Sequence, residues 1–218
     1  YENQKNIKIV LGNHDLHFLA ISFDQRSPNK TDTLNSLFES RDINKLVDWV
    51  LTWPLMFTND KAILVHAGIH PCWSVDSAYN NSNNTCSHMQ SNPENFFKKM
   101  YGNNPNIWND KLSSEEKMRF SINSLTRMRC LNKDQSLDFK YNGSLNDLPA
   151  SLKPWFSFKS SFKRDKRIIS GHWSAIELHH HTYGISIDSA CVWGKKLTAL
   201  CVEDNKTFSV KINKKDLN

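Results

Sequence analysis

Three short motifs bring together side chains that bind metal ions, and each directly follows a segment expected as a strand. Gly12-Asn13-His14-Asp15 follows Ile7-Lys8-Ile9-Val10-Leu11, His66-Ala67-Gly68 follows Ala62-Ile63-Leu64-Val65, and Gly171-His172-Trp173 follows Arg167-Ile168-Ile169-Ser170. In open α/β sheets the loops at the carboxyl ends of strands converge on the ligand site, so three such endings can meet at one point. An Asn side chain offers a neutral oxygen and a His a neutral nitrogen. The set Asn13, His66 and His172 therefore suits manganese, iron, cobalt or zinc better than calcium.

A second cluster suits anions. Arg127 and Arg129, in Thr126-Arg127-Met128-Arg129, are spaced to face one side of an extended segment, and a guanidinium fork matches phosphate oxygens two at a time. A solvated surface pair is the competing reading. Lys153-Pro154-Trp155-Phe156 carries two aromatics on a rigid turn; Trp155 either stacks on a base or packs a hydrophobic corner onto the core. The tract His179-His180-His181 lies in what reads as a polar connecting loop, and His17 and His70 read as loop supports. Cys72, Cys86, Cys130, Cys191 and Cys201 are odd in number and lack paired CxxC spacing, which argues against a disulfide framework or a zinc ribbon.

These motifs need elements to hold them. Residues 7–11, 62–65 and 167–170 are expected as strands, and a helix is expected to start at Leu16. Ile43, Leu46, Val47, Val50 and Leu51 fall at helical spacing, and the helix must stop near Trp53 because Pro54 follows. Residues 80–165, rich in Asn, Ser and Lys, read as a loop and helix insertion with short helical pieces at 93–101 and 113–127. After Arg167 the pattern turns to strands: 183–187, then 197–202 and 207–212 as a hairpin.

With 218 residues and 39% hydrophobic content, the chain can bury a core, and its net charge of +6 is compatible with an anionic substrate. The basic residues are dispersed, so specific nucleic-acid binding is not expected. No apolar stretch approaches the roughly 20 residues that span a bilayer. A reducing cytoplasm is the expected location.

Leu11-Gly12-Asn13-His14-Asp15-Leu16-His17, His66-Ala67-Gly68-Ile69, Met100-Tyr101-Gly102, Thr126-Arg127-Met128-Arg129, Leu152-Lys153-Pro154-Trp155-Phe156, Gly171-His172-Trp173 and Asp188-Ser189-Ala190-Cys191-Val192-Trp193-Gly194 come in the order of the bacterial symmetrical diadenosine tetraphosphatases. The chain resembles that family, a branch of the calcineurin-like metallophosphoesterases. The resemblance implies an α/β fold, a four-layer αββα sandwich, with a dinuclear centre of two divalent ions, manganese or cobalt. It implies that Asn13, His66 and His172 bind one ion and that His14 stands beside the scissile phosphoryl group as a proton or hydrogen-bond donor. Asp15 would support His14 or its loop, and Arg127, Arg129 and Trp155 would bind a dinucleoside polyphosphate, split symmetrically into two ADP.

Two departures accompany the resemblance. The family's first blocks, Gly-Asp-x-His-Gly and Gly-Asp-x-x-x-Arg-Gly, are absent, so residues 1–218 are expected to be the carboxy-terminal portion of the domain, lacking its first strands. Ala190 stands where Gly is expected, which would crowd the turn after Asp188. Three other expectations remain beside the main one: a phosphoprotein or phosphomonoester phosphatase on the same scaffold, an inactive truncated remnant, and a basic nucleic-acid-binding module.

Overall fold

The computed structural model describes residues 6–30, 32–162, 166–213 and 215. Its elements in chain order are α1 (Asn13–Ser22), α2 (Asn35–Phe38), α3 (Ile43–Leu51), β1 (Met56–Thr58), β2 (Ala62–Val65), α4 (Val75–Ser91), α5 (Pro93–Met100), α6 (Ser114–Arg127), β3 (Cys130–Asn132), β4 (Leu137–Asp138), β5 (Leu152–Pro154), β6 (Arg167–Ser170), β7 (His179–His181), β8 (Gly184–Ser186), β9 (Lys196–Leu200) and β10 (Thr207–Lys211). No helix among the described residues is long and apolar enough to cross a membrane.

The central sheet has the order β1-β2-β6-β8-β7. β2, β6 and β8 are parallel neighbours, with Ala62 opposite Arg167 and Ile168 opposite Gly184, while β1 and β7 run antiparallel at the edges. Everything between β2 and β6 is therefore one long crossover, which carries α4, α5, α6 and the small sheet β4-β3-β5. Side chains alternate across a strand. Ile63, Val65 and Ile168 face the large core with the helices, whereas Ala62, Ile169 and Ile185 form a second cluster with Leu200 and Val202 at the end of the β9–β10 hairpin. Helices, central sheet and hairpin thus give three layers of the expected sandwich; an outer helical layer beyond the hairpin is absent among the described residues.

Three expectations need correction. Residues 7–11 form no strand: Leu11 N–H donates to Pro54 O at 2.8 Å, and a single main-chain bond is not a ladder. Helix α4 (Val75–Ser91) takes up the beginning of the stretch read as loop and helix, where no helix was expected. Ser74 caps it by accepting from Ser77 N–H, and Ala78, Ser82, Thr85, Cys86 and Met89 make its buried face. That face carries small polar residues at positions where periodicity looks for apolar ones, and Thr85 satisfies its hydroxyl on Asn81 O at 2.7 Å. Helix α1 starts at Asn13 rather than Leu16, which places the first motif on its first turn.

Two imidazoles, buried His70 and half-buried His181, make the fold sensitive to acid. His70 donates Nε2–H to Gln135 O at 2.9 Å, and its Nδ1 lies 2.9 Å from the Cys72 thiol; burial lowers its pKa to about 4. Burial, with His179 and His180 nearby, takes His181 to about 4 as well. In the unfolded chain both titrate near about 6.5. Below that value the unfolded state binds more protons, so their contribution is complete above about pH 6.5 and is lost as pH falls toward 4. The urea midpoint is expected to decline through this window, and less steeply in His70→Gln. A midpoint independent of pH there would contradict the buried neutral state.

Candidate metal centre and phosphate cleft

The adjacency of β2 and β6 brings two motifs together that lie about a hundred residues apart. His66 follows β2 directly, His172 follows β6 after Gly171, and Gly171 N–H donates to His66 O at 2.8 Å. The two rings lie 5.1 Å apart. Asn13, on the first turn of α1, sets its Oδ1 3.0 Å from His66 Nε2. A Cβ on Gly12 would come within 2.7 Å of the His66 ring, so this close approach requires glycine. His172 itself has φ +64, an uncommon backbone state for a residue other than glycine and one that concentrates at functional sites.

Electrostatics suit both imidazoles to ligation, which needs the neutral form. Burial brings the His66 pKa to about 4, opposed by Asp188 and reinforced by His14 and Arg129. Burial, then Arg129 and His66, brings His172 to about 2. His172 Nε2 lies 3.1 Å from Arg127 O, so Nε2–H donates to that carbonyl and the lone pair stays on Nδ1. An imidazole whose second nitrogen is tied to a carbonyl is the usual arrangement around a bound metal. The donor set fits one divalent ion as an incomplete shell: two neutral imidazoles and an amide oxygen, with no group of three His, Cys, Asp or Glu joining them among the described residues.

His14 is exposed beside Asn13. Asp15 accepts Gly12 N–H at 2.7 Å and thereby ties down the loop before α1. Burial raises its pKa against that bond and the nearby His14, and no hydrogen bond joins Asp15 to His14 among the described residues. Asp188 accepts from Ser174 Oγ at 2.7 Å and from Ala190 N–H at 3.0 Å. Ala190 has φ +58, where an L-residue is disfavoured by roughly 1–2 kcal/mol, so the turn does take the conformation for which glycine was expected.

Arg127 ends α6 rather than lying in an extended segment, and buried Met128 separates it from Arg129. Arg127 donates to Asn123 Oδ1 at 2.8 Å and Asn103 Oδ1 at 3.1 Å, with its guanidinium 4.5 Å over the Phe139 ring. The Arg129 guanidinium is half-buried and makes no hydrogen bond or ion pair among the described residues. Burial pushes its pKa down, with Arg127 adding to that, yet guanidinium stays protonated in proteins. A half-buried cation with only Asp188 as a nearby counter-charge, and no hydrogen bond or ion pair among the described residues, is a place for an anion beside two imidazoles.

Trp155 is not available to a base. It is 2% exposed, packed at 5.6 Å on Phe156 and 5.2 Å on His181, and a Cβ on Gly68 would lie 2.6 Å from its ring. The reason is the histidine tract, which forms edge strand β7 instead of a loop and stacks His181 on Phe156 at 4.6 Å. His17 and His70 support loops: His17 bonds Tyr101 and Asp32, each at 3.0 Å.

A mixed sheet whose parallel strand ends bring two imidazoles to an amide oxygen, with a guanidinium beside them, has the donor types that a metal-dependent phosphoesterase uses. No family model matches the chain. Its relatives include the symmetrical bis(5′-nucleosyl)-tetraphosphatase of Janthinobacterium sp. (strain Marseille), 38% identical over 94% of this chain and 75% of the relative. Those of Cellvibrio japonicus (38%, covering 93% and 77%) and Neisseria meningitidis serogroup A (34%, covering 95% and 76%) are similar. The chain belongs to the symmetrical bis(5′-nucleosyl)-tetraphosphatase family. A crystal structure of a protein described as a candidate diadenosine tetraphosphatase shares the fold, with TM-score 0.57 and 19% identity over 96% of this chain and 70% of that one.

Proposed function

We propose that this protein hydrolyses diadenosine tetraphosphate symmetrically to two ADP, using two divalent ions, manganese or cobalt. The observation that carries the reading is kinship over more than nine-tenths of the chain with proteins named for that reaction. Asn13, His66 and His172 would hold one ion. Bound ions of this kind polarise phosphoryl oxygens and lower the pKa of water from about 15.7 toward about 7. Arg129 and Arg127 would hold phosphates flanking the scissile bond, and His14 would donate a hydrogen bond to the departing oxygen. Asp15 keeps Asn13 and His14 in place through Gly12. The free state of all five cysteines is compatible with work in a reducing cytoplasm.

Product analysis tests the reaction. Two ADP per diadenosine tetraphosphate are expected; AMP plus ATP, or faster turnover of an alkyl phosphomonoester, would overturn it. Arg129→Ala should remove a charge-assisted contact worth roughly 1.5–3 kcal/mol, about 10- to 150-fold in kcat/KM. Lysine should restore only part, because it lacks the planar fork. A loss below about threefold, with metal content unchanged, would remove Arg129 from substrate binding.

A further inference from the structure

A groove of about 520 Å³ is lined by Asn13, His14 and Arg127 and also by Tyr101, Arg26 and Asp32. Its volume lies in the range of small-ligand pockets. We propose that this groove seats one nucleoside of the substrate, with Tyr101 and Arg26 stacking on the base and with His17 and Asp32 as positioning residues for the tyrosine. The identity of the occupant rests on the dinucleotide reading above; the shape and polarity of the seat do not.

Four observations support the assignment. Tyr101 is 37% exposed in the groove, and the Arg26 guanidinium lies 4.8 Å over its ring, so two flat π-surfaces are already stacked where a planar base could extend them. Arg26 has no ion-pair partner among the described residues. The tyrosine is fixed: Tyr101 O–H donates to His17 Nδ1 at 3.0 Å, and His17 Nε2–H donates to Asp32 Oδ2 at 3.0 Å, while Asp32 also accepts Asn29 N–H at 2.6 Å. Finally, the polarity is graded. Arg127 lines the groove together with Asn13 and His14, beside the donor set, whereas Tyr101 sits among both Arg26 and Asp32, so phosphates belong by Arg127 and the nucleoside by Tyr101. Leu16, Met100 and Ile122 give the groove apolar lining between them.

Stacking is tolerant of base identity, so the seat should accept guanine almost as well as adenine. The test compares ADP with inorganic pyrophosphate as binding probes, by calorimetry on the manganese-loaded enzyme. Tyr101→Leu is expected to weaken ADP by about 5- to 150-fold and pyrophosphate by less than about twofold, whereas Tyr101→Phe, which keeps the ring, should hold ADP within about threefold. Equal losses for the two probes, or no loss for ADP, would overturn the seat. Nuclear Overhauser contacts between tyrosine ring protons and adenine H2 or H8 of bound ADP are expected in the parent enzyme, and their absence would also overturn it. That measurement depends on no variant folding. Failure to release two ADP would defeat the proposed reaction alone, since the contrast between ADP and pyrophosphate stands without turnover.

Discussion

Alanine at His66 or His172 is expected to lower kcat/KM by about a thousandfold or more, while the folded protein survives. Metal-assisted stabilisation of phosphoryl charge is worth several kcal/mol, and about 4 kcal/mol corresponds to a thousandfold. The two imidazoles come from neighbouring parallel strands whose pairing does not depend on them. Each variant should therefore lose metal after dialysis and recover part of its activity in excess manganese. Asn13→Ala should lose less, since a neutral amide oxygen is the weakest donor of the set. His180, exposed on edge strand β7, is the control, because its removal touches neither the donor set nor the Phe156 stack. Metal content at the parental stoichiometry in the His66 and His172 variants would show that they are not ligands.

What the sequence reveals of this site follows from how local the information is. His66 and His172 stand out because each follows within two residues a short segment rich in β-branched apolar residues, which reads as a buried parallel strand, and the residues just past such a strand lie at the sheet's functional edge. That β2 and β6 are neighbours is not local: about a hundred residues of crossover separate them, and only their parallel pairing, from Ala62 with Arg167 to Leu64 with Ile169, brings the two histidines within reach. The carbonyl of Arg127, which orients His172, carries no side-chain signature at all. Trp155 illustrates the opposite failure. Its rigid turn is visible in Lys153-Pro154-Trp155-Phe156, but whether the ring faces solvent or core depends on β7, whose three histidines look like loop until they pair with β8. Helix α4 is obscured for a related reason, since Ser82 and Thr85 are buried through tertiary packing that composition does not show.

The chemistry expected of His14 follows from the leaving group. Symmetrical cleavage expels ADP through a phosphate oxygen whose conjugate acid has a pKa of about 6, so it departs at neutral pH with little need of a proton. An alkyl phosphomonoester expels an alkoxide, closer to water's value of about 15.7, and for it proton donation in the transition state is worth about 10²- to 10⁴-fold. His14→Ala is therefore expected to slow an alkyl phosphomonoester by that factor and diadenosine tetraphosphate by only about tenfold, the remainder being hydrogen bonding to transition-state oxygens. Because His14 is exposed beside Asn13, its removal should leave the loop intact, held by Asp15 on Gly12. The two kcat/KM ratios are to be measured at saturating manganese with metal content verified in each sample. A loss on the dinucleotide equal to or greater than that on the monoester would make His14 an obligatory general acid for both substrates, and the leaving-group argument would fail.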